Sequence, residues 1–227
     1  MIQYNYLTYY QLYVVKSNYS RKGKRNTGGV HFMDSKAFFK LSYGVYIIST
    51  SADNKEGGCV INTLTQVTSS PARLSIALNK ENYTLKLIET SGTFSAAVLS
   101  DDVEMDLIRR FGFQCGKDVK KYDGIPQGRD SLNNPYPTEG VCARFTCRVV
   151  SSMDVGSHMI IVGEVVEAEV LDSQTPALTY SNYHQADTKE VTGWRCSVCG
   201  YILESETLPP DFICPVCGKD ASYFVKL

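Results

Sequence analysis

GCVINTLTQVTSSPARLSIALNKENYTLKLIETSGTFSAAVLS, residues 58–100, is the stretch on which the fold turns. Read from Gly57, its first part to Ser69 is β-branched and apolar, and ARLSIALN (72–79) resumes after Pro71, so both predict strands. NYTLKLIETSG sets Leu85 and Ile88 at helical spacing and closes on Gly92, a common helix stop, which predicts a short helix. TFSAAVLS (93–100) returns to strand character. Upstream, SYGVYIISTS (42–51) predicts another strand before the turn-like ADNKEGG. Downstream, DDVEMDLIRRFG places Val103, Leu107, Ile108 and Phe111 on one face, with acidic residues in the first turn, arginines in the last and Gly112 as the stop. Residues 116–139 read as loop, with Pro126, Pro135 and Pro137 among glycines and asparagines. CARFTCRVVSS (142–152) alternates Ala143, Phe145, Cys147 and Val149 with Arg144, Thr146 and Arg148, so one face should be buried and the other wet. MDVGS (153–157) then predicts a turn and HMIIVGEVVEAEVL (158–171) a long last strand. Many strands with two short helices between them predict a mainly β fold, a barrel with helical insertions.

The 227 residues suffice for one domain of about 150 residues and a small appendage. With 23 basic and 24 acidic residues, charge gives no argument for a nucleic-acid partner. No apolar run is long enough to span a bilayer, so neither membrane nor secretion is expected, and a cytoplasmic location is. The first 33 residues contain no acid, carry Lys16, Arg21, Lys22, Lys24 and Arg25, and are crowded with tyrosine. That composition suits an organellar transit peptide, but Gly28 and Gly29 are placed to be an in-frame, purine-rich ribosome-binding sequence. Met33 is therefore the expected start, and residues 1–32 are expected to be a non-native or disordered extension. Residues 33–171 then form the barrel, the polar stretch 172–193 a linker, and 194–227 a separate small domain.

That small domain holds Cys196 and Cys199, then Cys214 and Cys217, two CxxC pairs separated by 14 residues. Each pair can present two sulfurs to one cation, and two pairs complete a tetrahedral all-thiolate site. Gly200 and Gly218 follow the second cysteine of each pair and permit the tight turn that aims N–H groups at sulfur. Ligand type alone leaves zinc and iron both open. RCSVCGYIL followed by LPPDFICPVCGKDASYF resembles rubredoxin, with a shorter excursion between its knuckles, similar to the rubredoxin-like tails of rubrerythrins. The resemblance implies a single iron on the four cysteines, with zinc as the alternative occupant.

Of the remaining cysteines, Cys147 falls on the apolar face of its strand, and Cys59, Cys115 and Cys142 are isolated, so no dithiol redox pair is expected. No GxGxxG follows a strand, which argues against a Rossmann nucleotide site. INTLTQVTSSP offers hydroxyls and amides, and LNKENYT offers Lys80 for a phosphate with Thr84 as a donor at a helix start. FFKLSYGVYIIST, the 58–100 stretch, LIRRFGFQCGKDVKKYDG and DVGSHMIIVGEVVEAEVL together resemble the flavin reductase-like FMN-binding split-barrel family. The resemblance implies a homodimer with FMN near the interface. It matches Asn62, Thr63 and Gln66 to the segment along the ring and ribityl chain, and Asn79, Lys80, Tyr83 and Thr84 to the segment near the phosphate. His158 matches the histidine beside the ring and the nicotinamide approach, the one catalytic position implied, and Tyr46 could stack nearby.

Fusions of such a barrel with rubredoxin imply an electron-transfer flavoprotein. Electrons from a reduced nicotinamide, or from a protein donor, would pass through FMN to the iron and on to an acceptor such as a flavodiiron protein. The alternative is an NAD(P)H-dependent flavin or ferric reductase whose zinc-ribbon or rubredoxin-like tail is accessory.

Overall fold

A computed structural model describes residues 35–186, 193–196, 202–203, 205–214 and 219–226. The expectations for residues 1–32 and for the start at Met33 lie outside these residues. The chain divides into two compact units. Tyr43–Asp187 forms the larger, while the described residues from 193 onward belong to the other.

The larger unit is built on one antiparallel sheet of seven strands. In chain order they are β1 (Tyr46–Ala52), β2 (Lys55–Ile61), β3 (Thr65–Ser69), β4 (Ala72–Asn79), β5 (Thr93–Leu99), β8 (Val141–Asp154) and β9 (His158–Val170). Two short strands, β6 (Gln127–Arg129) and β7 (Pro135–Pro137), pair separately. The order across the large sheet is β2-β1-β5-β8-β9-β4-β3, so consecutive strands β2 and β3 stand at opposite edges. Laid flat, seven strands would hold those edges about 29 Å apart. Only Asn62–Leu64 joins them, and the step from Ile61 to Thr65 reaches at most about 14 Å. The sheet must therefore curl until its edges approach, which makes a barrel split between β2 and β3. The single strand expected over 57–69 is broken at that crossing because one chain segment has to serve both edges.

Helix α1 (Tyr83–Ser91) starts at Asn82, whose side chain accepts from Thr84 N–H, and ends at Gly92, which adopts φ 67° and donates to Ile88 O. Both ends follow the sequence reading. Helix α2 (Met105–Phe113) runs one residue beyond Gly112, which is buried within it and is not its stop. The two helices dock on opposite faces of β2, and two adjacent glycines permit this. A Cβ on Gly57 would lie 2.8 Å from Leu87 Cδ1, and one on Gly58 would lie 2.6 Å from Phe111 Cε1. The core between sheet and α1 includes Ile48, Ile76, Leu78, Ile88, Phe94 and Ile161, with Cys147 fully buried among them as expected.

Three segments differ from the sequence reading. The proline-rich 116–139 contains the β6–β7 ribbon, fastened to β1 and β5 by the fully buried Asn134. Its Oδ1 accepts from Thr93 Oγ1 and Thr50 Oγ1, and its Nδ2 donates to Asp130 Oδ2 at 3.1 Å. On β8, Thr146 is fully buried and not wet, because its hydroxyl donates to Glu167 Oε2 at 2.9 Å beneath the Arg144–Glu167 ion pair. The described part of the expected linker, 172–186, is docked. Leu178 N–H donates to Leu99 O and its carbonyl accepts from Val45 N–H, and helix α3 (Tyr180–Ala186) follows with Tyr183 buried. Two apolar side chains at the right spacing anchor a segment whose average composition is polar.

The smaller unit carries a three-stranded sheet of β10 (Trp194–Cys196), β11 (Ile202–Leu203) and β12 (Phe224–Lys226), in the order β11-β10-β12.

Candidate functional site

The polar residues singled out in the sequence lie where strands of the large sheet end. Asn79, the last residue of β4, stands opposite His158, the first of β9. Lys80 N–H donates to Ser157 O at 3.1 Å, and Asn82 N–H to Asn79 O at 2.9 Å, so the turn into α1 is stitched to the β8–β9 tip. From the β2–β3 crossing, Thr63 Oγ1 donates to Ala77 O and accepts from Ala77 N–H, two residues before Asn79. Asn62 precedes it, and Tyr46 pairs with Ile61 on the neighbouring strand, half-buried against the core. Thus Tyr46, Asn62, Thr63, Asn79, Lys80, Tyr83 and His158 come from distant parts of the chain to one end of the split barrel. Gln66 lies further along: it pairs with Leu74, five residues or roughly 17 Å of strand from Asn79, and its Nε2 donates to Thr68 O.

Charge and burial differ among these groups. Lys80 Nζ donates to Asp154 Oδ2 at 2.5 Å. His158 has Nδ1 2.7 Å from Ser157 Oγ, and burial holds its imidazole below the usual histidine pKa, in the neutral form at pH 7. Thr84 is drawn inward: it is buried, and its amide is taken by Asn82. Tyr83, at the first position of α1, faces Gly116, where a Cβ would lie 3.0 Å from its ring. Amides, hydroxyls, an imidazole and one ammonium at a curled sheet end suit a polar ligand with one anionic terminus.

Two charged side chains have partners that the sequence does not reveal. MDVGS predicts a turn at Asp154, yet this residue is the last of β8 and the partner of Lys80. Lys121, in the stretch 116–139 that reads as loop, is 7% exposed. Its ammonium donates to Gly58 O at 2.8 Å and Phe111 O at 2.9 Å, tying β2 to the last turn of α2. Burial pushes its pKa down to about 8, against the opposing field of the Cys59 and Cys115 thiols. No sequence signal separates this lysine from its neighbours Lys117 and Lys120.

In the smaller unit Cys196 and Cys214 are each 1% exposed and share a cluster with Phe224, walled by Trp194, Leu203, Leu208 and Phe212. Cys196 sits on β10 opposite Phe224, and Cys214 N–H donates to Lys219 O at 2.7 Å. The first cysteine of each CxxC is therefore brought into one apolar pocket; Cys199 and Cys217 lie outside the described residues. Thiolate donors within an apolar wall fit a soft or borderline metal shielded from water. Among the described residues no helix is long and apolar enough to cross a membrane.

Comparison with known proteins follows the same division. The profile of the flavin reductase like domain matches residues 38–189, and that of the rubrerythrin, rubredoxin-like domain matches 194–225. A ferric-chelate reductase (NAD(P)H) of Archaeoglobus fulgidus is 39% identical over 152 residues, covering 67% of this chain and 89% of that protein. High molecular weight rubredoxin of Moorella thermoacetica is 30% identical over 230 residues, covering 86% of this chain and all of its own length (100%). Among solved structures, the NADH:FAD oxidoreductase SgcE6 of Streptomyces globisporus superimposes with a TM-score of 0.60 at 20% identity, over 68% of this chain and 95% of its own, a likeness of fold.

Proposed function

The chain belongs to the flavin reductase-like family and carries a rubredoxin-like unit after it, and from that premise we propose that it is an oxidoreductase that moves electrons from a flavin to a thiolate-bound iron. The observation that carries the reading is the coexistence in one polypeptide of the split barrel, with its polar sheet end, and the paired buried cysteines of the tail. The flavin is FMN. When bound, FMN supplies acceptance of a hydride and release of single electrons, the step a one-electron iron centre needs.

This chain's residues bind and orient. Asn62 and Thr63 at the strand crossing would hold the ring and ribityl chain, with Gln66 further along the same segment. Asn79, Lys80 and Tyr83 would serve the phosphate end, Lys80 as the cation, while Thr84, turned inward, supports the helix start behind them. Tyr46 supplies an aromatic wall. His158 would offer the flavin a neutral imidazole, able to hydrogen-bond without adding a charge. Cys196, Cys199, Cys214 and Cys217 would hold the iron, and the apolar wall around Cys196 and Cys214 would keep water from it.

A homodimer is part of the reading. Val150, Met153 and Val155 leave apolar surface exposed at the outer end of the β8–β9 ribbon, beside the polar sheet end. The donor is a reduced nicotinamide or a redox protein, the acceptor a flavodiiron-type protein, and the setting the cytoplasm.

The test is metal and flavin analysis of the intact protein, followed by anaerobic titration with NADH and NADPH. Iron with FMN, both bleaching on reduction, is the expected result; zinc in place of iron refutes the relay. The A. fulgidus relative supports a second reading, reduction of ferric chelates at the barrel itself. The variant Cys214→Ser separates the two: it should lose the iron spectrum and transfer to an external protein acceptor while keeping FMN. Undiminished protein-acceptor reduction by that variant would favour the second reading.

A further inference from the structure

Lys80, the only cation assigned to the flavin site, already has an anion. Asp154 Oδ2 lies 2.5 Å from its Nζ. Asp154 ends β8, and its Oδ1 accepts from Gly156 N–H at 2.9 Å, so the carboxylate is braced by the turn it opens. Lys80 N–H donates to Ser157 O in the same turn. One backbone bond and one ion pair thus fasten the β8–β9 tip to the start of the Asn79–Asn82 turn. The two side chains remain 38% and 61% exposed, so a solute anion can reach the pair from solution.

Two anions cannot share this ammonium without cost. A phosphate approaching Lys80 must either displace the carboxylate or accept its repulsion at close range. The uncharged ring and ribityl chain of a flavin meet no such opposition. We propose that Asp154 is a specificity-determining residue, whose carboxylate competes with the terminal phosphate of FMN for Lys80 and so sets the preference for phosphorylated flavin over riboflavin. The inference rests on the flavin reading above. In it, a phosphate on Lys80 releases Asp154, and the tip keeps only its backbone bond to the turn.

The test is fluorescence titration of the flavin-stripped full chain with FMN and with riboflavin, for the unaltered protein, Asp154→Asn, Lys80→Met and the double variant. Asp154→Asn should raise the ratio of FMN to riboflavin affinity about two- to fivefold, the range of an exposed ion pair, with riboflavin binding unchanged as the measure of an intact fold. The rise should vanish in the Lys80→Met background. An unchanged ratio in Asp154→Asn, or a rise that persists without Lys80, overturns the competition. Binding of neither flavin by the unaltered chain refutes the flavin reading itself, an outcome distinct from an unchanged ratio.

Discussion

Replacing Lys121 by methionine should change how stability depends on pH more than it changes stability at any one pH. The buried ammonium titrates at about 8, while the same group in the unfolded chain titrates near 10.5. At about 1.4 kcal/mol per pH unit, burial disfavours the charged form by about 3 kcal/mol. Below pH 8 both states are protonated and that cost is carried in full. Between pH 8 and 10.5 the unfolded chain binds one more proton than the folded one, so this group makes stability rise with pH. Cys59, Cys142 and Cys147, whose thiols are pushed up by burial, act in the opposite sense, as does the Tyr122 phenol. The quantity to measure is therefore the difference between the protein and Lys121→Met, in which these contributions largely cancel. Methionine keeps the length of the side chain but leaves Gly58 O and Phe111 O without their donor, a cost independent of pH. The stability difference, unaltered protein minus variant, should grow by about 3 kcal/mol from pH 7 to 10.5. Urea unfolding at half-unit pH steps gives it. The probe should be far-ultraviolet circular dichroism, because the single tryptophan, Trp194, lies in the other unit and reports on the tail. A difference that is flat across this range refutes the buried-ammonium reasoning.

Other perturbations test the packing and the site. Gly58→Ala should cost about 1–3 kcal/mol, since the new methyl would lie 2.6–2.8 Å from the Phe111 ring and force α2 off β2; thermal unfolding reads it. His158→Gln should remove a loss of stability on the acid side. The folded imidazole titrates below 6.5, so as pH falls through 6.5 the unfolded chain takes up the proton first and stability drops, and the variant should lack that drop in denaturation curves between pH 7 and 5.

Periodicity and punctuation made most of the elements readable before any coordinates. Asn82 and Gly92 delimit α1 as their chemistry requires, and the apolar alternation placed Cys147 in the core. Gly112 shows the limit of such reading: a glycine next to a helix face stops the helix or lets it pack closely, and packing decides. Pro135 and Pro137 suggested loop because proline removes a ladder donor. In a two-stranded ribbon pinned from below by Asn134, that loss is tolerated. Thr146 is covered by the long side chains of Arg144 on its own strand and Glu167 on β9, and alternation along one strand does not reveal an ion pair that folds over it from two strands.

By itself the sequence determined the division into a β-rich unit and a cysteine tail, the family likeness of both, and the pairs of thiols able to hold a metal. These are local properties, written in spacing and residue type. Tertiary structure alone decided which of the polar residues meet. Asn79 faces His158 because β4 and β9 are neighbours across 79 positions of sequence, and Thr63 joins them because a three-residue crossing forces the sheet to curl. The partners of Lys80 and Lys121 are likewise tertiary. A lysine's charge is in its sequence letter, but whether it meets Asp154 in water or two carbonyls in the core depends on where the fold closes over it.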